Sequence, residues 1–193
     1  MSTARIAIMC RYPAPGRAKT RLIPALGPEG AAEMHRVLAE RTVATVRASG
    51  IPFTLWGTGG SAALFTEWLG DVGVKMQGEG DLGERLLAAV ERYPIIFLGT
   101  DAPDLTPDHL HQSVESLKKG RAVIGPAADG GYWLLGLPLP ADDLFSGVEW
   151  GTETVYATTR KTMDRLGIDP VVLEELHDLD RPEDLVRWPE LRP

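Results

Sequence analysis

The chain has 193 residues, 44% of them apolar and 24% charged, which fits one globular domain over residues 1–193 and excludes a disordered chain. Its only cysteine, Cys10, excludes an internal disulfide and a cysteine zinc cluster. Net charge is −7, of which the first 28 residues contribute +5 and the remainder −12. That split speaks against nucleic acid as a partner and suits a small anionic ligand, which feels the local field rather than the whole one.

In chain order, Arg5 to Met9 reads as a short buried strand, followed by a Pro/Gly-rich loop over residues 12–28. The spacing then predicts a long helix from Pro28 to Ser49, with Gly50 beyond its end. Phe53 to Trp56 reads as a strand, Ser61 to Leu69 as a helix capped by Ser61, and Val72 to Met76 as an edge strand. Leu82 to Tyr93 reads as a helix with Leu82, Leu86, Ala89 and Val90 on one face. The apolar run Pro94 to Leu98 has the pattern of a central strand covered on both faces. A helix over Pro107–Lys119, strands over Ala122–Gly125 and Tyr132–Leu137, and a helix over Thr152–Leu166 follow. A short strand at Pro170–Leu173 and a helical turn at Pro182–Trp188 close the chain. Residues 138–150 are the longest irregular stretch, a candidate lid or homodimer contact.

Strands alternating with helices predict an α/β sandwich around a largely parallel sheet. In such sheets ligands bind beyond the carboxyl ends of the strands, where residues 11–21, 100–104 and 128–131 all fall. No apolar run approaches the ~20 residues that span a bilayer, and the N-terminus lacks a signal-peptide pattern, so no membrane insertion and a reducing cytoplasm are expected.

The first of these loops, RYPAPGRAKTRL, is a candidate phosphate site. Gly16 permits close approach of a ligand, Lys19 is a compact charge, and Arg17 and Arg21 have the fork that grips phosphate oxygens. It is not a P-loop, because Ala18 and Pro13 stand where glycines are required. Asp101 and Asp104 follow the central strand in GTDAPDL, and a carboxylate there suits Mg²⁺ or Mn²⁺, which favour oxygen ligands. Asp104 also reads as the cap of the turn before Pro107. In Asp129-Gly130-Gly131-Tyr132, Asp129 is open to two readings, a hairpin turn or a ligand to metal or acceptor. Asp178 and Asp180 are open to two readings, a further carboxylate near a metal or caps of the final helix around Pro182, with Asp180 leaning towards the cap. Gly78 to Gly83 satisfies G-x-G-x-x-G, but Glu79 and Asp81 would oppose a pyrophosphate. His35, His109, His111 and His177 have no partners at ligand spacing.

Six fragments in order, Pro13 to Leu22, Gly80 to Arg85, Gly99 to Leu105, Gly125 to Leu137, Trp150 with Thr152, and Asp178 to Leu185, resemble small glycosyltransferase A-type proteins. These belong to the nucleotide-diphospho-sugar transferase superfamily. Among them the chain is most similar to transferases associated with radical-SAM and selenodomain proteins, and more distantly to 2-phospholactate and molybdenum-cofactor guanylyltransferases. Arg11 stands where lysine is common in that group and Gly151 where serine is common.

The resemblance implies a Rossmann-like α/β/α sandwich with a mainly parallel mixed sheet. It implies a metal-dependent transferase using a nucleotide-activated donor, with a nucleotide-diphospho-sugar first. Nucleotidyl transfer from an NTP to a phosphorylated acceptor is the alternative, and nucleotide binding without turnover a third. The catalytic candidates are Lys19, Asp101 and Asp129, with Asp101 the metal ligand. Arg11, Gly16, Arg17, Lys19, Arg21, Gly80, Arg85 and Thr100 are the nucleotide and phosphate candidates. Gly130, Gly131, Tyr132 and Trp150 are the candidates for binding a small-molecule acceptor.

Overall fold

The computed structural model describes residues 4–191. Strand β1 (Arg5–Arg11) leads through a short 3₁₀ turn at Thr20–Leu22 into helix α1 (Ile23–Ser49). Gly27 breaks α1 with φ 70 and ψ 170, so the regular helix starts at Pro28, where proline is tolerated in a first turn. Then come β2 (Phe53–Thr58), α2 (Ala62–Leu69), β3 (Val74–Met76), α3 (Leu82–Ala88) and β4 (Ile95–Leu98). They are followed by α4 (Pro107–Lys118), β5 (Val123–Pro126), β6 (Tyr132–Leu137), α5 (Val155–Arg165) and β7 (Val171–Val172).

The seven strands form one sheet in the order β3-β2-β1-β4-β6-β5-β7. Only β6 runs against its neighbours β4 and β5; the other pairings are parallel. Alternation along the strands divides the apolar residues between two layers. Ile6, Ile8 and Cys10 of β1 with Ile96 and Leu98 of β4 pack under α1, α2 and α4. Ala7, Ile95 and Phe97 pack on the other face against Leu86 of α3 and Met163 of α5. The sheet is therefore covered on both faces, which is why β4 reads as an unbroken apolar run. This is the Rossmann-like α/β/α sandwich.

Several boundaries differ from those the sequence suggests. Helix α3 stops at Ala88 rather than Tyr93: Pro94 disfavours helical geometry at Tyr93, and Glu91 instead pairs with Arg5 Nε at 2.8 Å and Lys75 Nζ at 2.7 Å. Helix α5 starts at Val155 rather than Thr152: Gly151 takes φ 80, and the Thr152 hydroxyl donates to the Glu149 carbonyl, which folds residues 151–154 into a turn. The cap of α4 is Thr106, whose hydroxyl accepts from His109 N; Asp104 instead accepts from the Trp188 indole at 3.0 Å. Residues 138–150 are anchored by buried Leu144 and Phe145, the latter edge-on to Phe97 at 5.8 Å. Among the described residues no helix is long and apolar enough to cross a membrane.

A third apolar cluster joins the chain's two ends. Leu22, Met34 and Leu38 meet Leu179, Leu185, Trp188 and Leu191, so the last described residues lie as a strap across α1. Trp188 also ties the strap to the loop after β4 through Asp104. Trp188→Ala is expected to lower stability by about 3–5 kcal/mol, the usual cost of emptying a buried aromatic site. Urea unfolding followed by far-UV circular dichroism measures this.

Candidate functional site

The loop after β1 is built around one strained residue. Lys19 has φ 47 and ψ 45, the only non-glycine residue with positive φ among those described. A left-handed conformation costs roughly 1–2 kcal/mol for a side chain bearing Cβ. The conformation lets the Lys19 side chain turn inward, where it is 4% exposed and its Nζ lies 2.7 Å from Asp101 Oδ1 and 3.4 Å from Asp180 Oδ1. Burial alone would push the Lys19 ammonium down, but Asp101 and then Asp180 outweigh it and hold the ammonium above its ordinary value. Burial likewise pushes Asp101 up, and Lys19 outweighs that, so the carboxylate sits below its ordinary range. Arg21 Nη1 completes the group 2.6 Å from Asp180 Oδ2.

Asp101 is carried at the end of β4. Its backbone carbonyl accepts from Leu179 N at 2.9 Å, and Arg41 Nε donates to the Pro103 carbonyl at 2.7 Å. Asp180 does not cap the last helical turn. That role falls to Asp184, whose carboxylate accepts from both Asp180 N and Arg181 N, and this leaves the Asp180 side chain to the cations.

Asp129 holds the β5–β6 turn by accepting from Gly131 N at 2.8 Å, and its exposed carboxylate faces the cleft as well. Beside it, Gly130 has φ 88, and a Cβ there would lie 2.1 Å from the Glu153 carbonyl. Glycine is required at this point because the turn lies against the backbone of residues 151–154.

Two clefts open along this edge of the sheet. The first, about 540 Å³, is lined by Arg11, Arg17, Lys19, Arg21, Arg85, Thr100 and Asp101. It also reaches Thr58 at the end of β2 and Gln77 just after β3, so it lies over the point where the sheet departs in both directions from β1. The second, about 520 Å³, is bounded by Asp129, Thr152, Glu153, His177, Asp178 and Arg181 and shares Arg21 and Asp180 with the first. A hollow of about 190 Å³ holding Asp101, Asp129 and Asp178 joins them.

Most phosphate candidates thus fall together, but not all. Gly16 and Gly80 line neither cleft; Gly80, at φ 99, packs against Glu84 in the capping box that starts α3. Asp81 is the cap of α3, so the G-x-G-x-x-G stretch serves as a helix start. On the acceptor side, Gly131 and Tyr132 border the small hollow, whereas Gly130 is spent on the close approach to Glu153. The structure places the Tyr132 hydroxyl in the interior, where burial pushes it above its ordinary value, and its ring edge-on to Trp150 at 6.4 Å. Trp150 packs over Gly83 and borders neither cleft.

Two cleft residues have no sequence signal as site residues. His35 lies on the buried face of α1 and reads there as core; its Nε2 is 2.8 Å from the Arg11 carbonyl, and burial holds the ring below its ordinary value and so neutral. Gln77 donates to the Trp56 carbonyl at 2.7 Å and fixes the end of β3. Cys10 also borders the cleft, but burial and Asp101 push its thiol up to about 12, so it is not a nucleophile.

Among the described residues no three His, Cys, Asp or Glu side chains are gathered as a preformed cation cage. The donor chemistry nevertheless fits a hard divalent cation. Asp178 is pushed up to about 8 by burial and then by Asp101 and Asp129, a repulsion that positive charge would relieve. Because the Asp178 pKa rises on folding from 3.8, its ionisation favours the unfolded chain, and stability from this group is lost as pH rises towards 8. In EDTA, Asp178→Asn is expected to melt above the wild type at about pH 8 and level with it near pH 4. Thermal melts across that range test this, and an equal difference at both ends would contradict it.

Residues 41–152 match the family described as an uncharacterized protein conserved in bacteria (DUF2064). No match was found among curated proteins. Among solved structures, a protein of Desulfovibrio desulfuricans G20 named for nucleotide-diphospho-sugar transfer is similar at 30% identity with a TM-score of 0.86. The alignment covers 94% of this chain and 84% of that one. A nucleotidyl transferase from Methanothermobacter thermautotrophicus aligns over 97% of this chain and 96% of its own, at 17% identity and TM-score 0.62. Glucosyl-3-phosphoglycerate synthase of Mycobacterium tuberculosis, solved with Mn²⁺, UDP and phosphoglyceric acid, aligns over 96% of this chain and 73% of its own. Its identity is 14% and its TM-score 0.55, so this likeness, like the preceding one, is one of fold.

Proposed function

We propose that this chain, which belongs to the DUF2064 family, catalyses metal-dependent transfer from a nucleotide-activated donor, a nucleotide-diphospho-sugar, to a small-molecule acceptor. The observation that carries this reading is the pairing of a five-cation cleft, Arg11, Arg17, Lys19, Arg21 and Arg85, with the carboxylates of Asp101 and Asp178 at its border. Arg85 Nε is buried without a hydrogen-bond partner, as expected of a donor that awaits a ligand oxygen. The 30% identical protein named for nucleotide-diphospho-sugar transfer supports the choice of donor.

In this reading the diphosphate lies in the first cleft. Lys19 and Arg21, held there by Asp101 and Asp180, exchange carboxylate partners for phosphate oxygens without leaving their positions. Asp101 and Asp178 would hold Mg²⁺ or Mn²⁺, which supplies charge neutralisation for the departing diphosphate. Arg17 and Arg85 add to that neutralisation, and Thr100, almost fully buried, fixes the floor beneath it. Asp129, which lines the second cleft and the small hollow, would take the proton of the attacking acceptor group as the bond from acceptor to sugar forms and the nucleoside diphosphate leaves. Catalysis then rests on positioning and electrostatics.

Nucleotidyl transfer is the second reading, favoured by the number of cations in the first cleft, since a triphosphate carries more charge than a diphospho-sugar. A thermal-shift panel of UTP, GTP, CTP, ATP and their diphospho-sugars, each with Mg²⁺, Mn²⁺ or EDTA, separates the two. Binding at ~100 times the dissociation constant adds about 2.7 kcal/mol of stability, a readily measured shift. Metal-dependent stabilisation by a diphospho-sugar above its NTP is expected; stabilisation by an NTP alone would replace this reading with the second. Asp101→Asn, which leaves an amide oxygen beside the Lys19 ammonium, is expected to abolish metal-dependent turnover and keep the fold, and full activity in that variant would refute the role given to Asp101.

A further inference from the structure

The two clefts carry charge of opposite sign. The first sets its five cations against Asp101 and Asp180. The second sets Asp129, Glu153, Asp180 and Asp184 against Arg21 and Arg181. Arg21 is already engaged by Asp180, so Arg181 is the one guanidinium of the second cleft without an ion-pair partner among the described residues. A divalent cation at the carboxylates would cancel two negative charges and would still leave no cationic excess. The volume of about 520 Å³ is ample for a sugar-sized molecule.

The wall of this cleft is also preset. Gly130 lies against the Glu153 backbone, and Tyr156 N donates to the Gly130 carbonyl at 2.8 Å, so residues 151–156 are locked to the β5–β6 turn. On that fixed wall, Glu153 is exposed, and neither it nor His177 makes a side-chain hydrogen bond or ion pair among the described residues. A carboxylate and an imidazole whose bonding capacity is open are suited to hydroxyl and amino groups. Among the described residues, a phosphate there would have Arg181 as its one free cation and would meet the like charge of Asp129 and Glu153.

We infer that the acceptor is an unphosphorylated polyhydroxyl or amino compound, recognised in the second cleft through Glu153 and His177. The inference rests on the transferase reading and narrows it, since the nucleotidyl alternative calls for a phosphorylated acceptor. Phosphate groups are thereby sorted by the charge of the two clefts: the donor's enter the first and an acceptor's are refused by the second.

The test uses the full chain with Mn²⁺ and each of UDP-glucose, GDP-mannose and ADP-glucose, and follows nucleoside diphosphate release over an acceptor-free background. Acceptors are supplied as matched pairs, glucose and glucose 6-phosphate, glycerol and glycerol 3-phosphate, with glucosamine as the amine. The unphosphorylated member is expected to stimulate release about tenfold more than its phosphorylated partner. Glu153→Lys is expected to raise the KM for the unphosphorylated member and to narrow or reverse the preference. No preference for the unphosphorylated member, or a preference untouched by Glu153→Lys, would overturn the inference. Melting shifts with donor alone, read in the same samples, tell the two failures apart. If they persist while the phosphorylated member wins, the acceptor assignment alone falls. If they are absent with every donor, the transferase reading falls with it.

Discussion

A buried ammonium must have partner carboxylates, and the arrangement of the site follows from how Lys19 meets that requirement. Removing a lysine from water without a partner costs several kcal/mol, so the Lys19 side chain can stay inside only while Asp101 and Asp180 are there to receive it. The three residues come from the loop after β1, the end of β4 and the C-terminal strap. The strained backbone at Lys19 holds because the rest of the loop is fixed, with Ala18 and Leu22 packed on either side of it. The strap holds because Leu185, Trp188 and Leu191 are buried against α1. Apolar packing at the periphery therefore fixes the charges at the centre, and the charges fix the shape of the cleft.

The sheet order explains why two clefts of opposite sign lie side by side. β1 sits between β2 and β4, and the loops that follow these parallel strands lean apart, which opens a crevice over β1. The cations come from the loop that spans this crevice. On the far side of β4, the antiparallel β6 begins at the same edge, so the acidic β5–β6 turn is brought against the loop after β4. The C-terminal strap then passes between them and supplies Asp178 and Asp180 at the junction. In the proposed reaction this junction is where donor and acceptor meet.

His109 shows how the same topology absorbs polar residues that have no part in the site. Its Nδ1 accepts from Thr106 N at the start of α4, its Nε2 meets the Glu174 carboxylate, and its ring lies 5.3 Å from Trp133. One ring nitrogen is spent on the start of α4 itself and the other on joining α4 to the segment that leads into the strap. His35 differs because it faces the cleft, and no periodicity rule separates a buried histidine that borders a ligand site from one that fills a core.

The elements themselves were legible in the sequence wherever local chemistry decides. The apolar run of β4, the cap at Ser61, the proline opening of the regular part of α1 and the glycine ending it all act within a few residues. So do the cationic character of the first loop and the carboxylate that ends β4. The boundaries of α3 and α5 and the cap of α4 are not legible in the sequence because competing local signals, such as Thr106 against Asp104, differ by amounts that packing and distant partners, such as Arg5 and Lys75 for Glu91, settle. What only the tertiary structure decided is which charges meet. Asp180 lies about 160 residues from Arg21 and Lys19, and its carboxylate is turned to them because Asp184 takes over the capping. Tyr132 and Trp150 are turned into the second core layer, and Glu153 becomes a cleft wall because Gly130 lets two loops touch. Sequence by itself determined the kinds of groups and the edge of the sheet where they gather, since hydrophobic alternation and the succession of strand, loop and helix are set locally. Their partners depend on long-range packing, which no short window of residues contains.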